Sequence, residues 1–222
     1  MSSPIAKTNK RFFDKTLIAI HRKISHSKRV DTLSTLFVEV IKSLNQNNKI
    51  VRLLDVGCGD MTIAKSLSLK YEKIQFTCID IYPNINNWNN YFEFNGKSIP
   101  FGDNEFDVVL FSDVLHHDFN NVKNLLIEAK RVSKIVIIKD HFEYGLWSRK
   151  ILQLADFIGN YGYGVSIPKR YFSKQSYSAI LGECNLKEID QLCPIQLYKD
   201  NILLKHLFKS RYQFISIIKS QL

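Results

Sequence analysis

Two doublets carry the side chains of this chain best suited to moving protons: His116-His117, shortly after Asp113, and Asp140-His141. Imidazole titrates nearer neutrality than any other side chain, and a carboxylate beside it fixes its charge or tautomer. Each doublet follows a short apolar run, Phe106–Phe111 before the first and Lys134–Lys139 before the second. Such runs, rich in Val and Ile, read as strands buried on both faces. Parallel strands would deliver both doublets to one sheet edge, the edge at which open α/β sheets bind ligands. Three histidines and two acids, Asp113 and Asp140, then converge in a site able to take up a proton.

A second stretch with chemical potential lies upstream, Val51–Asp60, reading VRLLDVGCGD. Ile50–Val56 has the apolar, β-branched character of a buried strand. Gly57-Cys58-Gly59 follows, and then Ile63, Ala64, Leu67 and the stem of Lys70 recur at helical spacing. Strand, glycine turn and helix in that order expose backbone amides at a helix N-terminus, where a ligand can approach closely. A dinucleotide site would want a third glycine where Thr62 stands, and Asp60 would repel a pyrophosphate. An acidic turn suits a ligand carrying ammonium and sulfonium charge.

Asp55-Val56-Gly57-Cys58-Gly59-Asp60 closely resembles the first motif of class I S-adenosylmethionine (SAM) methyltransferases. Ile74–Asp80 reads as the next strand, ending in an acid placed to hold both ribose hydroxyls. Phe94–His117, FNGKSIPFGDNEFDVVLFSDVLHH, resembles the following blocks of the methyltransferases called type 11. The resemblance implies a Rossmann-like α/β fold, a seven-stranded sheet with its last strand antiparallel, preceded by N-terminal helices. It implies SAM as cofactor and S-adenosylhomocysteine as product. The implied cofactor residues are Asp55, Gly57, Cys58 and Gly59 at the turn, Asp80 and Ile81 at the ribose, Asn95 and Gly96 at the adenine, and Ser112 and Asp113 beyond the fourth strand. Asn95 stands where the family has an acid, yet its carbonyl can still accept a hydrogen bond. Arg131-Val132-Ser133 replaces the family's Pro-Gly-Gly link. Similar small-molecule O-methyltransferases pair a His after the fourth strand with an Asp after the fifth. His116 or His117 with Asp140 would copy that pair, and His141 is the competing base. The acid pattern of the metal-dependent catechol enzymes is absent, so no metal is expected.

A chain of 222 residues suits a single domain. Residues 1–48 read as a helical cover, from stripes at Phe13, Leu17, Ile20 and Ile24 and at Val30, Leu33, Phe37, Val40 and Leu44. Residues 49–141 form the cofactor core, 142–172 an acceptor-side insertion, and 173–222 the C-terminal part of the sheet. In the insertion, Trp147, Ile151, Leu154 and Ile158 step as a helix that breaks at Gly159. Asn160, Tyr161 and Tyr163 then offer flat apolar surface with polar tips, suited to a ring-bearing acceptor. Phe172–Leu181 reads as a helix capped by Ser173, and Leu186–Leu192 and Tyr212–Ile218 as the last strands.

The formal charge of +10 is spread along the chain without an RNA-binding motif, so nucleic acid is an unfavoured partner. No apolar run reaches the ~20 residues of a membrane helix, though Asn201–Lys209 could touch a lipid surface. The N-terminus lacks a secretory pattern, and Cys58, Cys78, Cys184 and Cys193 are scattered, which together favour the cytoplasm. The expected activity is methyl transfer to oxygen of a small or carrier-linked acceptor (sugar, lipid or natural product). The alternatives are methylation of RNA or protein, and a non-catalytic SAM-binding partner subunit.

Overall fold

The computed structural model describes residues 27–84, 86–160, 166–197 and 202–220. Seven strands form one sheet in the order β3-β2-β1-β4-β5-β7-β6. They are β1 (Val51–Val56), β2 (Ile74–Asp80), β3 (Tyr91–Glu93), β4 (Phe106–Ser112), β5 (Ser133–His141), β6 (Leu186–Leu192) and β7 (Gln213–Ser220). β7 runs antiparallel to both β5 and β6, whereas β1 through β5 pair in parallel. This is the seven-stranded architecture expected from the sequence. β3 fell within no predicted strand: three residues at a sheet edge carry too short a pattern to read.

Period-two alternation gives the sheet two cores. Leu53, Val108, Leu110, Ile137 and Ile217 face one side, where they meet helix α1 (27–44) through Leu33, Phe37 and Ile41, and helix α2 (Thr62–Lys70) through Leu67. Leu54, Val109, Phe111, Val136 and Phe214 face the other, packed on α3 (Val122–Val132) and on α5 (Lys174–Glu183). The second predicted stripe of the N-terminal cover is therefore core packing on the sheet. The first, Phe13–Ile24, lies outside the described residues. The remaining helices are α4 (Leu146–Asn160), which continues through Gly159 where a break was expected, and the short α6 (Ile202–Leu207).

Local chemistry sets the joints. Ser173 and Ser176 form a reciprocal capping box at the start of α5, a device that satisfies two otherwise orphan amides. α3 passes straight into β5, and Arg131 anchors the preceding loop. Its guanidinium donates to the carbonyls of Ile99 and Phe101, each at 2.8 Å, and to Asp103 at 3.0 Å. That loop carries Asn95 and Gly96, so the short link still fixes the adenine side. Asp107 accepts the Arg52 amide at 2.9 Å and pairs with its guanidinium, a structural role at the far end of β4.

Gly57 ties the two ends of the ligand edge together. Its φ is +73°, and an added Cβ would lie 2.6 Å from Val114 Cγ2. Gly59, at φ +54°, faces open space. Gly57→Ala therefore adds a collision to the ~1–2 kcal/mol cost of a left-handed conformation, and should lower the melting temperature by more than about 4 °C. Gly59→Ala carries the strain without the collision. Calorimetric melts of the two variants should separate them in that order.

Candidate active site

At the C-terminal end of β1 the backbone is cradled from below: Gly57 N–H donates to the Ile79 carbonyl at 2.8 Å, and Gly59 N–H donates to Asp80 Oδ2 at 2.8 Å. Asp80 also accepts the Tyr82 amide at 3.3 Å, and Asp60 accepts that of Thr62 at 3.0 Å. Burial, then the neighbouring Asp80 and Asp60 carboxylates, push the Asp55 carboxyl up to about 7. Three acids around one glycine turn thus form a strongly negative pocket floor. Ile81 and Tyr82 are exposed beside it, and Gly96, at φ +74°, sits against the Ile81 side chain. Cys58 is partly buried, near Met61 and Cys78.

Asn95 differs from its expected use. Its side-chain carbonyl accepts the amides of Lys97 and Ser98, both at 2.8 Å, and so builds the turn. Ser112 ends β4 in register with Lys139. The following Asp113 adopts φ +59° and turns its carboxylate away from the glycine turn, onto Arg29 of α1 and Lys139 of β5.

A buried ionic network lies at the C-terminal ends of β4 and β5. His116 is enclosed, with Nδ1 2.6 Å from Asp140 Oδ1 and Nε2 3.4 Å from Asp156 Oδ2. Burial opposes its charge, but the two carboxylates outweigh it and raise the imidazolium to about 9. Hence His116 is charged at neutral pH and has no lone pair to offer. Asp140 also accepts the His141 amide at 2.7 Å, and its partners hold it far below the usual carboxylate range despite burial. Asp156 is likewise depressed against its burial by His116, to about 2, and accepts a hydrogen bond from the Tyr171 hydroxyl. His141 lies 3.3 Å from Asp113 and 3.5 Å from the Lys139 ammonium; burial and that ammonium push it down to about 4. Burial and Arg29 also push Lys139 well below its ordinary range.

His117 is different. It is half-buried, lies tilted against His116 with ring centroids 4.3 Å apart, and has Nδ1 3.3 Å from the Ser166 carbonyl. Burial and the charged His116 push it down to about 4. With Nδ1–H donating to Ser166, the neutral ring leaves Nε2 free to accept a proton.

The structure thus brings His116, His117, Asp140 and His141 together, as the two doublets suggested. It adds Arg29, Lys139, Asp156 and Tyr171, which sequence reasoning did not single out. Asp156 had a readable signal, since it is the lone acid of an apolar helix. Tyr161 and Tyr163 lie outside the described residues, as does the side chain of Asn160. His116, Asp140 and His141 also offer atoms within 4.8 Å of one another, a spacing that a divalent cation can bridge. Arg29 sets positive charge beside that space, which favours proton handling over a cation there.

Residues 54–135 match a protein-family model described as a methyltransferase domain. The fold around that segment is the one shared by solved class I SAM-dependent methyltransferases. Solved methyltransferases share its fold. A SAM-dependent methyltransferase from Aquifex aeolicus superposes with a TM-score of 0.57 at 17% identity, covering 90% of this chain and 97% of that one. A putative sarcosine dimethylglycine methyltransferase from Galdieria sulphuraria gives 0.58 at 16%, covering 84% and 86%. Magnesium protoporphyrin IX methyltransferase from Synechocystis, solved with bound S-adenosylhomocysteine, gives 0.55 at 14%, covering 89% and 84%. No curated protein matches the sequence.

SAM is the cofactor that the glycine-turn motif implies, and the cradle fits it. The open space over Gly59 admits a ligand against bare backbone, and the acids around it complement a cation. When bound, SAM supplies an electrophilic methyl group on a sulfonium sulfur. Asp80, the residue expected at the ribose, lies under the Gly59 amide, with Asp55 and Gly57 beside it.

Two outcomes follow. Asp80→Ala should weaken S-adenosylhomocysteine binding about ten- to hundredfold, the worth of hydrogen bonds to a charged group, as read by calorimetry. The same titration repeated across pH should show affinity falling below pH 7, because Asp55 must then lose a proton to meet the ligand's ammonium. His116 sets the stability profile. Its folded value lies above the unfolded one of about 6.5, so its contribution is full below pH 6.5 and is lost as pH rises through about 9. His117 and His141, held neutral, withdraw stability as pH falls below 6.5 toward 4. Melting temperature should therefore peak near pH 6.5, and Asp140→Asn should flatten its alkaline side.

Proposed function

We propose that the chain transfers the methyl group of SAM to an oxygen of a small or carrier-linked acceptor, with His117 receiving the acceptor's proton. One observation carries this reading: among the three clustered histidines, only His117 is both neutral and half-exposed at the ligand edge. A hydroxyl nucleophile gains roughly 10²–10⁴-fold from a positioned base whose pKa lies near the working pH, and a ring held at about 4 sits at the low end of that range. Alignment of the acceptor supplies the larger share of the acceleration.

The other groups position His117 rather than exchange protons with the acceptor. His116, fixed between Asp140 and Asp156, is the surface against which the tilted His117 ring packs. Its charge also keeps His117 unprotonated until the acceptor arrives. Tyr171 locks Asp156 from α4, and Glu143 binds both Arg149 at 2.5 Å and the Tyr171 amide at 3.0 Å. Asn160, Tyr161 and Tyr163 follow Asp156 along the chain and are the proposed acceptor-side wall. A reducing cytoplasm fits the four free cysteines.

The decisive experiment supplies SAM carrying a labelled methyl group to fractionated lysate and identifies the bond in the labelled product. An ether or ester is expected, and a product methylated only at nitrogen or carbon sinks the oxygen assignment. With that acceptor in hand, His117→Asn should lower turnover by about two orders of magnitude, with S-adenosylhomocysteine affinity intact. Undiminished turnover in that variant would remove His117 as the base.

A further inference from the structure

Helix α4 has two faces of opposite purpose. Its inner face holds Ser148, Leu152 and Asp156, with Ser148 and Leu152 buried and Asp156 against His116. Its outer face carries Trp147, 87% exposed, Leu146, 72% exposed, and Leu154, 47% exposed. Trp147 and Asp156 are nine residues apart, which sets them on opposite sides of a helix of 3.6 residues per turn. Of the stripe that periodicity reads as a core face, Trp147 and Leu154 look outward, while Ile151 packs against Leu152, Tyr171 and Tyr212. Tyr144 before the helix and Ile167 beyond it are exposed as well. Apolar exposure of this extent, clustered in one region, marks a contact surface.

Charge selects what covers it. Between residues 142 and 174 stand five basic residues, Arg149, Lys150, Lys169, Arg170 and Lys174, against two acids, Glu143 and Asp156. Both acids are engaged within the fold, Glu143 by Arg149 and Tyr171 and Asp156 by His116 and Tyr171. Lys150 sits on the outer face itself, one turn after Leu146, and Lys169 and Arg170 are exposed beside Ile167. A helix face of Leu and Trp with basic residues among them matches segments that lie in the headgroup region of anionic bilayers. Trp suits that region because its ring is apolar and its N–H polar.

We propose that α4 docks this chain on an anionic lipid surface, with Leu146 and Trp147 entering the interface and Lys150, Lys169 and Arg170 meeting the headgroups. Docking holds the His116–His117 cluster one helix diameter, ~10 Å, from the bilayer, within reach of an acceptor carried on a lipid. That last link, unlike the docking, rests on the proposed methyl transfer.

The chain has two tryptophans. Trp88 packs on Tyr91 and under the Lys65 ammonium, so a Trp88→Phe background leaves Trp147 as the sole reporter. Vesicles of phosphatidylcholine and phosphatidylglycerol, mixed two to one, should shift its emission to the blue and shield it from acrylamide. The unmodified protein should sediment with these vesicles, release as salt rises, and ignore pure phosphatidylcholine. Replacing Leu146 and Trp147 together by Ser should lower partitioning at least about tenfold while the melting temperature and S-adenosylhomocysteine affinity hold. Equal partitioning of that variant, absence of the parent from the anionic pellet, or equal binding to the uncharged vesicles overturns the proposal. So does a dimer in sedimentation equilibrium that the double variant abolishes, which would make a second copy the cover. Loss of S-adenosylhomocysteine binding by the parent protein would instead strike the methyltransferase reading and leave the docking result standing.

Discussion

The acceptor end depends on one burial: the His116 imidazole held out of water between the carboxylates of Asp140 and Asp156. Ions buried this way are stable only as a matched set, because removing a partner strands a charge at a cost of about 3–5 kcal/mol. The set is drawn from three elements. His116 lies in the single turn after β4, Asp140 on β5, and Asp156 on α4. The ion cluster therefore fixes α4 to the sheet as much as apolar packing does. A second set repeats the logic beside it, with Asp113 taking Lys139 from β5 and Arg29 from α1. Through it the N-terminal cover reaches the ligand edge.

The cofactor end is organised by the opposite imbalance. Asp55, Asp60 and Asp80 crowd one turn with no cation bonded to any of them among the described contacts, and Asp55 responds by holding its proton to about 7. A surplus of buried negative charge is unfavourable until a cation arrives, so the fold stores an affinity for positively charged ligands. Val114 joins the two ends. It leaves no room for a side chain at Gly57, and it immediately precedes the turn that presents His116 and His117. Movement of the glycine turn would be felt directly at the histidines.

Much of this was legible from the chain alone, and for identifiable reasons. β1, β2, β4 and β5 are continuous apolar runs because both faces of a parallel sheet are covered, and each ends in the residue that matters, Asp55, Asp80, Asp113 or Asp140. The sheet edge follows from their order. What stayed hidden needed contacts between distant segments. Nothing local to His116 and His117 reveals which of them is enclosed, since that is decided by Asp156, forty residues on. In space His116 is the buried one and His117 faces the edge. Asn95 was legible as a polar residue at the adenine position, but its use in closing the Lys97–Ser98 turn is a matter of backbone geometry.

The helix after β5 shows how the same periodicity can mislead about direction. Trp147, Ile151, Leu154 and Ile158 step as a core stripe would, and hydrophobicity alone places that stripe inward. The ions overrule it. With Asp156 required at His116, and Ser148 closing the start of the helix through the Tyr144 amide at 2.6 Å, the polar face must turn to the sheet. Trp147 and Leu154 are left to face out, while Ile151 keeps its place against Leu152, Tyr171 and Tyr212. An exposed Trp147 is thus a direct structural consequence of where Asp156 is needed, and the same constraint that assembles the proton-handling cluster gives the chain an outer apolar surface next to it.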